Sequence, residues 1–148
     1  MEKLNLPSYK ITTKIINNKT YVFDIIRKKY VPLTPEENVR QQFLHYLIQE
    51  KNYPPGLITV EKEIKTKFIS GRGDIVVFDR NGEPFLIVEC KAPEVKISQK
   101  SFDQIARYCI KLKALYVAAT NGMEHYCCEL DFEQQKITYL KEIPAFNR

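Results

Sequence analysis

The sequence predicts an α/β domain, or a closely related α+β domain, in which a central mixed β-sheet is flanked by two helices. Two segments, residues 33–51 and 96–113, repeat apolar residues at helical spacing. Between and around them lie short runs rich in β-branched and aromatic residues, as in strands. A chain of 148 residues with 44% hydrophobic content is sufficient for one such domain.

The first third of the chain predicts a hairpin followed by a helix. Residues 10–31 contain two strand-like runs around the turn signal Asn17-Asn18-Lys19. Thr34 is the predicted N-cap of the helix, with Pro35 at its first position and Glu37 placed as in a capping box. We therefore expect an N-terminal hairpin extension over residues 1–33 and the start of the core at residue 34.

The core continues as three strands, a helix and further strands. LITVEKEIKT, DIVVFD and PFLIVECK follow the breaker NYPPG, and Asn81-Gly82 predicts a tight turn between the second and third of these segments. The second helix has one predicted apolar side, consisting of Phe102, Ile105, Tyr108, Cys109 and Leu112. ALYVAAT is a short apolar strand, and the remainder predicts a closing hairpin. We expect one domain over 1–148, with its core at 34–129 and a closing strand and tail at 130–148.

Composition indicates the compartment and gives only weak information about partners. The net charge of +5 suits a polyanion such as DNA but is too small to demonstrate one, and a solvated face better explains the scattered Lys3, Lys10, Lys14, Lys28 and Lys29. No apolar run has the length of a signal peptide or a membrane span, so we expect a cytoplasmic protein without membrane contact. The four cysteines are expected to be reduced core thiols, and a zinc site has little support.

The stretch FLIVECKAP raises the main chemical question, because it places Glu89 and Lys91 in an otherwise apolar strand. Removing either charge from water costs several kcal/mol unless a partner or ligand is present. Side chains alternate across a strand, so Glu89 and Lys91 share a face. Asp74 lies 15 residues before Glu89, a separation that fits two strands and a short turn. The sequence does not fix the register to one residue.

If the two acids meet, they form a hard oxygen site suited to Mg²⁺, together with the backbone carbonyl of Cys90. A bound cation could activate water and neutralise charge on a phosphodiester. Lys91 could orient the water or stabilise charge that develops on phosphorus.

A third acid is predicted from the first helix. At 100° per residue, Glu36 falls on the apolar side, whereas Glu37 lies about a quarter turn away and is free for the cap. Arg40, one turn after Glu36, could pair with it or reach a phosphate.

Each of these residues also has an ordinary structural interpretation. Glu89 and Lys91 could form a pair on a partly exposed strand. Asp74 could be a turn residue, and Glu36 could be favourable through the helix dipole alone. Gln104 and Tyr108 could be a surface amide and a core aromatic.

Taken in order, GRGD, IVECKAP and FDQIARY resemble the PD-(D/E)xK nuclease superfamily, and most closely the N-terminal nuclease domain of the motor subunit of type I restriction enzymes. The resemblance covers roughly residues 34–129. Glu89-Cys90-Lys91 matches the (D/E)-x-K element, and Asp74 matches the preceding acid. TPEENVRQ is similar to the acidic opening helix, with Glu36 as the matching acid and Glu37 as the alternative. Gln104 and Tyr108 match a Q-x-x-x-Y motif.

The resemblance implies a restriction-endonuclease-like core and hydrolysis of phosphodiester bonds in DNA with Mg²⁺, for which Mn²⁺ could substitute. It implies Asp74, Glu89, the Cys90 carbonyl and Glu36 around the metal, and Lys91 and Gln104 as further catalytic residues.

The sequence departs from the family at two points. Gly73 replaces the usual proline, and the chain has no phosphate-binding loop of a motor. A motor or specificity subunit is thus an expected partner, and a homodimer stays open. The competing hypothesis is a non-cleaving DNA-binding or assembly module.

Overall fold

The computed structural model describes residues 3–65 and 70–146, with the side chains of 62–65 and 70–73 left out. Its helices are α1 (Pro35–Glu50) and α2 (Gln99–Lys111), with a short 3₁₀ turn at Pro55–Leu57. Its strands are β1 (Thr13–Ile16), β2 (Lys19–Asp24), β3 (Lys29–Pro32), β4 (Ile58–Lys65), β5 (Ser70–Phe78), β6 (Pro84–Cys90), β7 (Tyr116–Thr120), β8 (His125–Asp131) and β9 (Lys136–Leu140).

The N-terminal segment forms a separate antiparallel sheet in the order β1-β2-β3. The predicted turn is confirmed: Asn17 and Asn18 have φ of 51° and 65°, and Ile16 pairs with Lys19 across them. Two consecutive left-handed residues make a tight hairpin turn, a conformation that asparagine tolerates well. β3 extends the predicted hairpin to three strands.

The second sheet has six strands in the order β4-β5-β6-β7-β8-β9. Its neighbours are antiparallel except β6 and β7, which run parallel. A parallel pair needs a crossover connection, and α2 lies in it. The predicted mixed α/β sheet with two helices is therefore confirmed.

The two helices contribute to separate hydrophobic clusters on the two faces of this sheet. The α1 cluster includes the α1 residues Val39, Phe43, Leu44 and Leu47 and the sheet residues Ile75, Val77, Leu86, Val88, Cys90 and Ala118. The α2 cluster includes the α2 residues Phe102, Ala106, Cys109 and Ile110 and the sheet residues Val76, Ile87, Val117 and Ala119. Full burial of each large apolar side chain contributes roughly 1.5–3 kcal/mol. Because strand side chains alternate, residues next to each other on β5 and β6 face different helices.

Caps fix where both helices begin. The Thr34 hydroxyl accepts a hydrogen bond from the Glu37 backbone N–H at 3.0 Å, which confirms the predicted N-cap. Ser98 caps α2 in a reciprocal arrangement with Ser101. The predicted apolar side of α2 is wrong at Tyr108, which is exposed, because Ala106 and Ile110 turn the buried face away from it.

The structure moves the start of the strand that carries Asp74. Asp74 was expected to open its strand, but β5 begins at Ser70, so Asp74 lies within it. Thr66, the last predicted residue of the preceding strand, lies outside the described residues. All four cysteines are buried and free of disulfides, as predicted. Among the described residues, no helix has the length and apolar character needed to cross a membrane.

Candidate active site

Asp74 and Glu89 lie opposite each other on neighbouring antiparallel strands. Ile75 of β5 pairs with Val88 of β6, so the next position along places Asp74 across from Glu89. Directly opposed residues have Cβ atoms about 4.5–5.5 Å apart on the same face. The register that the sequence left open thus brings the two acids together.

The Asp74 carboxylate is held by two groups. Its Oδ2 accepts a hydrogen bond from the Cys90 backbone N–H at 2.8 Å. Its Oδ1 lies 3.4 Å from Nη2 of Arg40, which is buried on α1. The main chain of β6 and the helix therefore fix the Asp74 side chain together.

Glu89 is the electrostatically costly member of the pair. Its burial raises the pKa of its carboxyl group, and the nearby charge of Asp74 raises it further, whereas Lys91 acts in the opposite direction. The Lys91 ammonium lies 3.4 Å from Glu89 Oε1. Two like charges and one opposite charge share a partly buried space, an environment that a cation would make more favourable for both carboxylates.

A groove of about 380 Å³ lies between β6 and α2, beside these residues. Glu89 and Lys91 line it from the sheet, and Gln104 and Tyr108 line it from the helix. Ser101 and apolar side chains, including Ile87 and Leu112, form the rest of its lining. The two residues of the Q-x-x-x-Y pattern therefore share one groove with Glu89 and Lys91.

The prediction that Glu36 faces the interior and Glu37 faces away is wrong. The Glu36 side chain is 47% exposed, whereas the Glu37 side chain is only 9% exposed. The Arg40 guanidinium still lies within reach of Glu36, with Nη2 at 3.6 Å from its Oε2. Glu36 is thus at the rim of the site, and Glu37 lies beneath it.

Glu37 belongs to a buried network that the sequence did not reveal. Its carboxylate accepts hydrogen bonds from Arg40 at 2.6 Å, from Gln41 at 3.0 Å and from Arg27 at 3.2 Å. Arg27 and Gln41 also donate to Asp24, at 2.6 Å and 3.0 Å. The chain of contacts therefore runs from the N-terminal sheet through α1 to Asp74.

The partners in this network are far apart in sequence, which is why pattern analysis missed them. Asp24 ends β2 and Arg27 lies in the turn that follows, and no periodicity marks them. The only local signal was the run of polar residues at the start of α1, where Asn38, Arg40 and Gln41 are all buried. Helical periodicity based on apolar residues cannot identify a buried polar face.

A further carboxylate, that of Glu61, borders the site from β4. Val60 pairs with Ile75 and Lys62 pairs with Gly73, which puts Glu61 opposite Asp74 on the side away from Glu89. Glu61 has a left-handed φ of 55°, and its carboxylate lies 3.5 Å from Arg27 and 3.8 Å from Arg40. It therefore joins the arginine network.

The residues present fit a hard divalent cation through two carboxylates. Mg²⁺ is commonly held by one or two protein carboxylates, with water and substrate phosphate completing its octahedron. Asp74 and Glu89 would supply that number. Within the described residues, no group of three or more His, Cys, Asp or Glu side chains is arranged to hold a metal ion.

The fold and site define an α/β domain in which two neighbouring strands bring together two acids and a lysine. A family model described as the N terminus of the type I restriction enzyme R protein matches residues 35–144. The match covers α1, the sheet and α2, so the chain belongs to this family.

A solved structure supports the same fold. The chain is similar to a fragment of an HsdR subunit of a type I restriction enzyme from Vibrio vulnificus YJ016, with a TM-score of 0.52 and 20% sequence identity. The similarity covers 76% of this chain and 24% of that one, so the chain spans about a quarter of the length of its relative. No curated protein matches the sequence significantly.

Proposed function

We propose that the chain is a nuclease module that hydrolyses phosphodiester bonds in DNA with the help of Mg²⁺, as part of a type I restriction assembly. The observation that carries this proposal is the opposed pair Asp74 and Glu89 with the Lys91 ammonium beside it. Membership in the R protein N-terminal family supports the link to restriction. A motor or specificity subunit is the partner that such an assembly would provide.

Each residue has a role that follows from its position. Asp74 and Glu89 would hold the cation, which supplies a water of lowered pKa and neutralises phosphate charge. Lys91 lies on the same face as Glu89 and would donate to the attacking water or to a phosphate oxygen. Gln104, across the groove, would orient Lys91 or the phosphate. Glu36 at the rim would support the cation through water.

Cleavage of plasmid DNA tests this proposal. Incubation with Mg²⁺ or Mn²⁺ should produce nicked or linear DNA, and Lys91→Ala should reduce the rate at least about 100-fold, because it removes a charge aimed at the reacting phosphate. Lys96→Ala is the matched control, since Lys96 is exposed and lies outside the groove lining. Equal cleavage by wild type and Lys91→Ala would disprove the role of Lys91.

Metal binding can be measured without activity. Mg²⁺ should raise the melting temperature of the wild-type protein, because a cation relieves the repulsion between the two carboxylates. Glu89→Gln should abolish this rise, whereas Glu83→Gln, on the exposed turn before β6, should preserve it. A metal-induced shift that is equal in wild type and Glu89→Gln would place the ion elsewhere.

One observation favours a second candidate, a non-cleaving DNA-binding or assembly module. Arg40 already provides a positive charge to Asp74, so the acid has a partner without any metal. In that case wild type and Lys91→Ala should both retard DNA in gels, and neither protein should cleave it. The plasmid experiment therefore separates the two candidates.

A further inference from the structure

The net charge of the protein is concentrated in its N-terminal segment. Residues 1–33 contain seven Lys and Arg but only two Asp and Glu, which accounts for the entire net charge of +5. The rest of the chain has equal numbers of basic and acidic residues. The core that carries the acidic site thus has no excess positive charge with which to attract a polyanion.

The described part of this segment exposes lysines but no acid. Its one acid, Asp24, is fully buried. Its exposed basic residues come from the leading segment, the three strands and the β2–β3 turn, and are Lys3, Lys10, Lys14, Lys19, Lys28 and Lys29. Four of these lysines, Lys14, Lys19, Lys28 and Lys29, therefore lie on the small sheet or on the turn between its last two strands.

Strand register shows which lysines point outward. Val22 and Val31 pair across β2 and β3 and are buried, so their face of the sheet packs inward. Lys14 pairs with Tyr21, next to Val22 and therefore on the opposite face. Lys19, two residues before Tyr21, shares that face. The outward face of the sheet thus combines Lys14 and Lys19 with aromatic rings, whereas Lys29 pairs with Asp24 and is exposed at the end of the opposite face.

Two of the aromatic rings on this face already have partners within the protein. Phe23 and Tyr30 contact each other edge to face at 5.2 Å between ring centroids. The Lys14 ammonium lies 3.9 Å from the centroid of the Tyr30 ring. Rings engaged in this way are poorly placed to stack on unpaired bases, as single-strand binders require. The chemistry left to this face is that of lysine with phosphate.

The basic sheet is also connected directly to the candidate active site. Lys28 and Lys29 follow Arg27, whose guanidinium lies 3.2 Å from the Glu37 carboxylate. Glu37 in turn bonds Arg40, which contacts Asp74. These contacts fix the position of the N-terminal sheet relative to the candidate active site.

We infer that the exposed lysines of the β1-β2-β3 sheet, with Lys14 and Lys19 on its outward face and Lys28 and Lys29 at the end next to the β2–β3 turn, form a binding surface for the sugar–phosphate backbone of double-stranded DNA. The inference rests on the proposed function for its choice of DNA as the polyanion. The contacts are to phosphate, so binding is independent of base sequence and falls steeply with salt. The sheet would hold the duplex while the neutral core contributes the chemistry.

The test compares two triple variants in DNA binding. Lys14, Lys19 and Lys29 are changed together to Gln, and the matched control changes the exposed Lys111, Lys136 and Lys141 to Gln. Binding to a fluorescent duplex is measured in EDTA, so that cleavage cannot interfere, over a range of salt concentrations. The first variant should weaken binding about tenfold or more, and should lower the salt slope by up to about 0.9 per lost phosphate contact. The control should bind like wild type.

Additional variants and ligands show whether a change in binding comes from the lysine charges. Replacement of the same three lysines by Arg should restore binding, and melting curves should show all variants folded. Equal loss in both triple variants, or loss in neither, would overturn the inference. So would tighter binding to single-stranded DNA than to duplex, or equal binding to polyglutamate.

The outcomes separate this inference from the proposed cleavage activity. If wild type binds duplex through the sheet but never cleaves, the binding surface stands and the nuclease proposal fails. If cleavage depends on Lys91 while the Gln variant binds duplex normally, the nuclease proposal stands and the surface fails.

Discussion

At the scale of single residues, the site is defined by how its charges are compensated. Glu89 is partly buried beside another acid, and among the described residues Lys91 is the cation that compensates its charge. Asp74 has a backbone N–H and an arginine, and is better stabilised. The two acids therefore differ in environment although they face each other, and the less compensated one lies next to the lysine in the groove.

Asp24 provides a residue-scale prediction about pH. Burial acts to raise its pKa, but hydrogen bonds from Arg27 and Gln41 outweigh burial and hold the pKa of the carboxyl below its usual value. A lowered folded pKa gives stability that is present above the unfolded pKa, near 3.8, and is lost as pH falls through the folded value.

We therefore expect the free energy of unfolding of the wild type to fall steeply below about pH 4. Asp24→Asn should be less stable at neutral pH by about 2–3 kcal/mol, because Arg27 loses its closest charged acceptor. The difference between the two proteins should shrink as the pH falls. Urea unfolding at several pH values measures this. A difference that stays constant down to pH 2.5 would contradict the assigned role of Asp24.

At the scale of elements, the sequence was informative wherever apolar periodicity or turn chemistry dominated. Asn17-Asn18, Thr34 and Asn81-Gly82 each fixed a local conformation, so the hairpins and the start of α1 could be predicted. The rotation of α1 about its own axis, which decides which of its residues are buried, could not be predicted. Its first turns bury Glu37 and Arg40 for electrostatic reasons, and their partners lie on β5 and before β3.

The sequence predicted that the strands of Asp74 and Glu89 pair in antiparallel fashion, but not which residues lie opposite each other. The Asn-Gly turn required an antiparallel hairpin, whereas the exact pairing depends on a bulge between Val77 and Phe78. A shift of one residue would have sent the two acids to opposite faces. Long-range packing, which a single sequence does not display, decides between these registers.

The orientation of α1 can be tested with two neighbouring acids. Glu37→Gln should destabilise the protein by about 3 kcal/mol, because it removes the closest charged partner of the buried Arg40 and one of the charged partners of Arg27. Glu36→Gln is the matched control and should change stability by less than about 0.5 kcal/mol, since Glu36 is about half exposed. Urea unfolding at pH 7 gives both values. A larger effect at Glu36 would restore the orientation predicted from the sequence.

Two glycines with positive φ test how tightly the connections are packed. Gly82, in the β5–β6 turn, has φ of 80° and open space around a hypothetical Cβ, so Gly82→Ala should cost only the backbone strain of about 1 kcal/mol. Gly122, between β7 and β8, has φ of 87°, and a Cβ there would lie 2.7 Å from a Leu4 methyl carbon. Gly122→Ala should therefore cost about 2–4 kcal/mol through strain and overpacking.

The comparison is made by thermal unfolding of the two glycine variants under the same conditions. The Gly122 backbone carbonyl also accepts a hydrogen bond from the Asn5 N–H at 2.7 Å, which fastens the leading segment to the core. Equal destabilisation by the two substitutions would mean that Leu4 does not pack against this turn.

At the scale of the whole molecule, the N-terminal sheet and the six-stranded sheet are joined by charges as well as by apolar contacts. Asp24 comes from β2 and Glu37 from α1, and Arg27 and Gln41 each donate to both of these acids. Such shared partners make the two halves of the molecule energetically dependent on each other. A sheet that is fastened in this way can hold a substrate in a fixed position relative to Asp74.

A double-mutant cycle tests this dependence. Asp24→Asn and Glu37→Gln each remove one carboxylate that shares Arg27 and Gln41, so the double variant should lose less stability than the sum of the single variants, by about 1 kcal/mol or more. The free energies come from urea unfolding at pH 7. Asp24→Asn combined with the remote Glu133→Gln is the control, and its effects should add within about 0.5 kcal/mol. Because both sheets depend on the same network, we also expect a single cooperative transition for the wild type. Additive losses at Asp24 and Glu37, or two separate transitions, would mean that the N-terminal sheet folds independently of the site that it adjoins.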